Sequence, residues 1–538
     1  MEMMGITTLL YKTIALFGVG ELLCLTLKHK EKLKRKEGEK ASAEIKDYRE
    51  MGEYLGMDGL ILTDNIRLKN KFDYENVCIV APTGAGKTTK FFYPNLLDKN
   101  LKGSIVVIDP KGELYRDTSK FQEQVCKRKV IKFSPLENSA HKYNLLEESK
   151  TTTEVSQLAS NLLLNGALSL ELATGKNAGG IEWLQMSEPL LTAALLYCKS
   201  LKRPFNTIEN ALNLIINRSE ADLYNLFTNS TEDVKNYYNI YSRVINSPNT
   251  AGSIKVTLTS NLKLFIDKTL NANLFKTTFN AELFRKEESI LYITFPENKA
   301  AFLAPFIAPF LTQFIDSAIN SYTENSKPIH FLFDEFANIG MINNFQGYVS
   351  TSRSRKLSFS ICLQSLSQLQ QIYGLHNYKT ILNNLKSKIF LAGITDISTL
   401  EYVEVLTGKK VINTISKTLN KQNEASYSFN KEVKNVLNKD EVRRIKENEC
   451  LIIFNNKQPI LDTQTPYFLK DRYKECIKGE VKEIISNNNY NNYKEEFNKY
   501  IDKEIIRIKL ELDHQEKELE TDFLEKRLRE NENKDQKR

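Results

Sequence analysis

Hydrophobic and polar positions along this chain fall into two regimes. From Asn76 to Pro135, short unbroken apolar runs alternate with helical segments: Val77-Cys-Ile-Val80, Ser104-Ile-Val-Val-Ile-Asp109 and Lys129-Val-Ile-Lys-Phe133. Such continuous runs predict strands of a parallel sheet covered on both faces. From about Glu182 to Asp267 the spacing changes. Leu190-Leu-Thr-Ala-Ala-Leu-Leu196 and Ala211-Leu-Asn-Leu-Ile-Ile216 are spaced for buried helix faces, and no convincing strand interrupts them. Strand patterning returns with Ile290-Leu-Tyr-Ile-Thr-Phe295, His330-Phe-Leu-Phe333, Phe359-Ser-Ile-Cys-Leu363, Lys388-Ile-Phe-Leu391 and Cys450-Leu-Ile-Ile-Phe454. The two strand-rich halves predict one α/β, doubly wound, mostly parallel sheet with an all-α domain inserted into it.

The expected organisation is therefore an N-terminal segment at 1–45, a first part of the α/β domain at 46–165, the all-α insertion at 166–280, the second part of the α/β domain at 281–470, and a charged helical or disordered tail at 471–538. Ile6 to Leu27 approaches the roughly 20 apolar residues that span a bilayer, although Lys12 and Glu21 interrupt it. Lys28, Lys30, Lys32, Lys34, Arg35 and Lys36 follow at once. The stretch reads as a membrane anchor with the rest of the chain in the cytoplasm, the alternative being an amphipathic helix for a partner. In the tail, Ser486 to Tyr493 is a polar linker. Ile501, Ile505, Ile508, Leu512 and Leu519 approximate a heptad seam that Gln515 and Asp522 interrupt, which suits a solvated helix or a weak coiled coil.

Composition narrows the chemistry more than the fold. The 538 residues suggest two or three domains, and a net charge of +8 permits contact with nucleic acid or anionic lipid without requiring either. Seven cysteines without a C-x-x-C pair, and five dispersed histidines, argue against a zinc site or a disulfide framework. Magnesium is the metal left to consider.

Two separated signatures carry that chemistry. Ala81-Pro-Thr-Gly-Ala-Gly-Lys-Thr88 follows the first strand and opens a helix, as a phosphate-binding loop must, with Ala81 where the first glycine usually stands. Glycines let successive backbone N–H groups turn towards phosphates, and the helix adds its positive end. The nucleotide-binding set is Thr83, Gly84, Ala85, Gly86, Lys87, Thr88 and Thr89; Lys87 would contact the β- and γ-phosphates of ATP, and Thr88 would coordinate Mg2+. Far downstream, Phe331-Leu-Phe-Asp-Glu335 ends a strand in two acids. Asp334 would serve Mg2+ and Glu335 would activate the attacking water, which points to hydrolysis rather than phosphoryl transfer to a small molecule. Gln364 ends the next strand, where it is either a γ-phosphate sensor or an ordinary turn residue. Arg353 and Arg355, in Ser350-Thr-Ser-Arg-Ser-Arg-Lys356, read on their own as a solvated basic turn.

With further segments the chain resembles a specific family. Pro94-Asn-Leu-Leu97, Asp109-Pro-Lys-Gly-Glu-Leu114, Asp334-Glu-Phe-Ala-Asn338, Gln364-Ser-Leu-Ser-Gln-Leu369 with Tyr373-Gly374, and Asp440-Glu-Val-Arg-Arg-Ile445 occur in order. Together they are similar to the type IV secretion coupling proteins, the VirD4/TraG group of conjugative DNA-transfer ATPases, from about Val77 to Ile460. The resemblance implies a RecA-like P-loop fold, a homo-hexameric ring, and location at the bacterial cell membrane. It implies single-stranded DNA, a relaxase or relaxosome and secretion-channel components as partners. It makes Gln364 the sensor and Arg353 the trans-acting arginine, with Arg355 second. Many members carry a pair of N-terminal spans where this chain offers at most one. Two other readings share the ATP motifs: a different hexameric DNA pump, and a nucleotide-gated docking receptor for secreted proteins.

Overall fold

The computed structural model describes residues 42–175, 180–245, 248–419, 425–483, 490 and 493–535. The stretch expected to anchor the chain, and most of the polar linker before the tail helix, lie outside them.

The apolar runs form the strands β1 (Val77–Val80), β2 (Ser104–Asp109), β3 (Lys129–Phe133), β4 (Ser289–Thr294), β5 (Ile329–Phe333), β6 (Leu357–Leu363) and β7 (Ser387–Leu391). Four more follow: β8 (Lys409–Leu419), β9 (Ala425–Asn435), β10 (Glu449–Phe454) and β11 (Ile460–Thr463). Nine of them make one sheet in the order β11-β10-β7-β1-β6-β5-β2-β4-β3, while β8 and β9 pair only with each other. Neighbours from β7 to β3 are parallel, and β10 and β11 continue the sheet antiparallel. This is the doubly wound, mostly parallel α/β arrangement anticipated from the patterning.

Every residue of β1, β2, β4, β5, β6 and β7 is buried, which is why these runs lack polar alternation. Successive side chains still point to opposite faces. Cys78, Val80, Val106 and Ile108 join one core, and Val77, Ile79, Ile105 and Val107 join the other. The first core lies under the helix Ala300–Asn320 and the helices between β3 and β4; the second lies under the segment around Leu60–Leu68 and the helix Glu113–Gln124. The stretch Glu297–Asn320 is long and apolar enough to cross a membrane, but most of it is buried beneath the sheet.

Between β3 and β4 the described residues contain helices and no strand. Local signals start them: Thr151 and Glu154 form a reciprocal capping box ahead of Thr152–Thr174, and Thr207 and Ser219 cap the helices that follow them. Two of these helices approach backbone to backbone at Gly166, where a Cβ would lie 2.3 Å from the Asn261 carbonyl oxygen.

The tail differs from the solvated helix suggested by its charge. In the helix Tyr493–Asp535, Phe497, Ile501, Ile505 and Ile508 are buried in the same core as the helical insertion. Arg218 pairs with Asp502, Lys509 with Asp222 at 3.0 Å, and Asn213 bonds Asn498 at 2.7 Å. The seam then fails where Gln515 and Asp522 interrupt it, and Leu519 is exposed. Its first turns are thus a structural part of the insertion. Phe497→Ala should cost about 3–5 kcal/mol in urea denaturation, as for other buried phenylalanines. Leu519→Ala should stay within about 0.5 kcal/mol. Equal small effects at both positions would show that the tail does not dock.

Candidate nucleotide-hydrolysis site

The order of the strands decides what meets at the sheet's edge. Although β6 comes late in the sequence, it lies between β1 and β5. The residues that follow β1, β5 and β6 therefore emerge side by side at the C-terminal ends of parallel strands, where open α/β sheets place their ligands.

The loop after β1 has the backbone a phosphate site needs. Gly84 and Gly86 have φ of 83° and 82°, a region that disfavours side chains. Ala81 is buried, does not have positive φ, and donates its N–H to the Leu363 carbonyl at 2.9 Å, so alanine fits the first position. The turn closes through Ala85 N–H to the Pro82 carbonyl at 3.1 Å, and Thr89 bonds the Gly86 carbonyl at 3.1 Å. Thr88–Phe92 then form one wide π turn before the helix continues. Thr83, Gly84, Ala85, Gly86, Lys87, Thr88 and Thr89 thus lie in one turn and the helix start that it leads into.

The two distant signatures meet here. Lys87 Nζ forms an ion pair with Glu335 Oε2 and lies 4.0 Å from Asp334 Oδ1. The Thr88 hydroxyl donates to Asp334 Oδ2 at 2.8 Å. Both acids are buried, and Asp334 Oδ1 and Glu335 Oε1 each lack a hydrogen-bond partner among the described residues. Buried oxygens without partners are costly and invite an explanation. Two carboxylates against one ammonium also leave negative charge in excess. A hard divalent cation with oxygen ligands fits both facts: Thr88 and Asp334 have the donor chemistry for Mg2+, and the free oxygen of Glu335 suits a water.

The electrostatics agree. Burial raises Asp334 to about 6, with Lys87 and the Thr88 hydroxyl pulling the other way. Burial opposes charge on Lys87, but the Cys362 sulfur and the two acids outweigh it and hold the ammonium above the ordinary lysine value. Asp109, which sequence reasoning treated only as part of a family signature, belongs to this cluster. It ends β2 beside β5, its carboxylate accepts the Tyr115 N–H at 2.8 Å, and burial lifts it to about 6 with Asp334 as a like-charged neighbour. The available signal was an acid at the end of an unbroken apolar run.

Gln364 follows β6 directly, between the loop and the two acids, and is half-buried; its N–H donates to Gln368 Oε1 at 2.9 Å. Arg353 is elsewhere. It precedes β6, so the length of that strand, about 20 Å, separates it from the edge that holds Lys87. It is exposed and pairs with Glu75 at 3.4 Å. Arg355 is held more firmly, with its guanidinium 5.6 Å from the Tyr322 ring and its carbonyl bonded to Arg285 at 2.9 Å. Neither arginine reaches the site within one chain.

Comparison with known proteins is consistent with this geometry. The model of the family described as type IV secretory system conjugative DNA transfer matches residues 27–491. Protein VirD4 of Agrobacterium fabrum is 26% identical over 438 residues, covering 76% of this chain and 61% of the relative. Conjugal transfer protein TraG of Escherichia coli is 24% identical over 325 residues, covering 55% and 49%. The chain thus spans about three fifths or less of the length of these relatives. Among solved structures, the bacterial conjugative coupling protein TrwBdeltaN70 with sulphate shares the fold at a TM-score of 0.62 and 14% identity, covering 81% of this chain and 97% of the other. The plasmid coupling protein TrwB with the non-hydrolysable ATP analogue ADPNP gives 0.62 at 15% identity, covering 79% and 93%; TrwB with ADP and Mg2+ gives 0.58 at 13%, with the same coverage.

The raised carboxyl of Asp334 sets a pH dependence. Its folded-state value lies above the ordinary 3.8, so the stability tied to its protonated form is fully present below about 4 and lost as pH rises through about 6. In nucleotide-free protein, Asp334→Asn should therefore be more stable than the natural chain above that range, by about 1–3 kcal/mol. The advantage should vanish as pH falls towards 4. Denaturation across pH checks this, and a difference independent of pH would contradict it.

Proposed function

The chain belongs to the type IV secretory system conjugative DNA transfer family, and on that premise we propose that it is an ATP-driven coupling protein that recruits a relaxase–DNA or protein substrate and delivers single-stranded DNA to a type IV secretion channel. The observation that carries this reading is the meeting of Lys87 with Glu335 and of Thr88 with Asp334, which joins the two halves of the split domain into one hydrolytic site. TrwB complexes with ADPNP and with ADP and Mg2+ support ATP and Mg2+ as the ligands.

In the proposed mechanism the loop from Thr83 to Thr89 cradles the phosphates with its backbone N–H groups. Lys87 leaves Glu335 and neutralises the β- and γ-phosphates. Thr88 and Asp334 would hold Mg2+, which would offset phosphate charge. Glu335, freed from Lys87, orients a water through its unpartnered oxygen and accepts its proton. Gln364, between these groups, reads the γ-phosphate. Arg353 acts only across a subunit boundary, consistent with its exposure and its distance from its own chain's site, so the reading includes a homo-hexameric ring. Residues 46–165 and 281–470 form the motor domain, 166–280 the substrate-facing module, and 1–45 the anchor that places the protein at the bacterial cell membrane.

A nucleotide-gated docking receptor is favoured by one contact. Asn165, on the helix Thr152–Thr174 that leads into the helical module, accepts the Met341 N–H at 2.8 Å and donates to the Met341 carbonyl at 3.1 Å, six to seven residues beyond the two acids. Lys87→Ala separates the readings: a motor keeps substrate capture and loses transfer, whereas a gated receptor loses capture. For the motor, ATP turnover should rise with single-stranded DNA and with ring assembly. Glu335→Gln should lower turnover at least about 100-fold while ATP still binds. Turnover indifferent to DNA and to assembly, or full turnover in Glu335→Gln, would sink the proposal.

A further inference from the structure

β8 and β9 stand apart from the sheet and pair with each other over eleven rungs. A lone two-stranded ribbon is marginal in water, so an arm of this length needs a partner. From Ser428 to Lys434 every residue is exposed, leaving both faces of that strand open. On one face the directly opposed pair Ile415 and Phe429 is 62% and 75% exposed, flanked by Lys431 and Val433. On the other face Lys410 lies directly opposite Lys434. Like charges so placed destabilise a ribbon, and the exposed Glu432 near Lys434, at 3.5 Å, offsets only part of this. Exposed apolar side chains beside exposed lysines describe a surface for an anionic, partly apolar partner.

Position selects that partner. β10 runs against β7, with Phe454 opposite Ser387, so the turn between β10 and β11 lies at the end of the sheet away from the phosphate loop. Residues 42–46 run along that end: Lys46 N–H bonds the Pro459 carbonyl at 2.8 Å, Ala43 N–H bonds the Lys409 carbonyl at 3.0 Å, and Ser42 bridges Lys410. The base of the arm therefore sits where the N-terminal stretch joins the fold. Residues 28–41 separate Ser42 from the apolar stretch ending at Leu27, and their contour is at most about 50 Å. The arm itself extends about 35 Å.

Resting on the anchored reading above, we propose that the β8–β9 arm docks on the anionic surface of the membrane that holds the N-terminus. Ile415 and Phe429 enter the headgroup boundary, and Lys409 and Lys431, on the same face of the ribbon, meet lipid phosphates. Basic residues near such a surface each add a modest attraction that salt screens, and the apolar pair supplies the rest.

The test uses the full chain in vesicles of phosphatidylcholine alone, or of equal parts phosphatidylcholine and phosphatidylglycerol. Phe429→Trp, in a Trp183→Phe background, reports on the arm, and retention on the vesicles after alkaline carbonate reports on the anchor. The expected result is an indole emission shifted to shorter wavelength and quenched by brominated acyl chains in the anionic vesicles only. Lys409→Glu with Lys431→Glu should abolish that shift while the chain stays with the vesicles. A retained chain whose indole remains solvent-like overturns the proposal and leaves the anchor standing; loss of the chain from both vesicles, with no shift, overturns both. A shift on adding oligothymidylate without lipid, and none with lipid, overturns it in favour of a nucleic-acid platform.

Discussion

Lys87 and Glu335 lie 248 residues apart in the chain and form one part-buried ion pair. That contact and the Thr88–Asp334 bond beside it depend on the insertion of β6 between β1 and β5, because only this order brings the three strand ends together. The arrangement is electrostatically unbalanced. Two buried carboxylates share one ammonium, each retains an oxygen without a partner, and Asp109 adds a third acid alongside. Charge buried in this way is stabilised by a further cation, and a site that is incomplete without its ligand gains most when the ligand binds.

The segment after the acids links this site to the rest of the molecule. Met341 is bonded through both backbone groups to Asn165, on the helix Thr152–Thr174 that leads into the helical module, and Gly340 has no room for a side chain because a Cβ would lie 2.7 Å from Asn165 Oδ1. The next N–H, of Ile342, donates to the Tyr373 hydroxyl at 3.1 Å on the helix that follows Gln364. Phe336 and Tyr373 stack with ring centres 6.0 Å apart. The helical module, the acids and the helix beyond Gln364 therefore share one short stretch of backbone. A change in what Glu335 contacts has a direct physical route to residues 166–280.

Much of this was legible in the sequence, for reasons the structure makes plain. Strands buried on both faces leave unbroken apolar runs, and the phosphate loop is contiguous, so β1 to β7 and Ala81–Thr88 could be read directly. Contacts between distant residues could not. Asp109 looked like part of a signature because nothing local says that β2 lies beside β5. Arg353 and Gln364 are eleven positions apart, but a strand lies between them and carries them to opposite ends of the sheet. The tail's charge concealed its buried face, since only Phe497, Ile501, Ile505 and Ile508 need be apolar to dock. The β8–β9 arm left no apolar alternation strong enough to mark it, because neither of its faces packs on a core.

The central claim is that the Lys87–Glu335 pair closes the nucleotide-free site and must open for ATP. Titrating the non-hydrolysable analogue ADPNP with Mg2+ into the natural chain and into Glu335→Gln, by calorimetry, tests it most directly. Removing the carboxylate frees Lys87 in advance, so the variant should bind more tightly, on the order of tenfold or about 1.4 kcal/mol. Equal or weaker binding by Glu335→Gln would contradict the account.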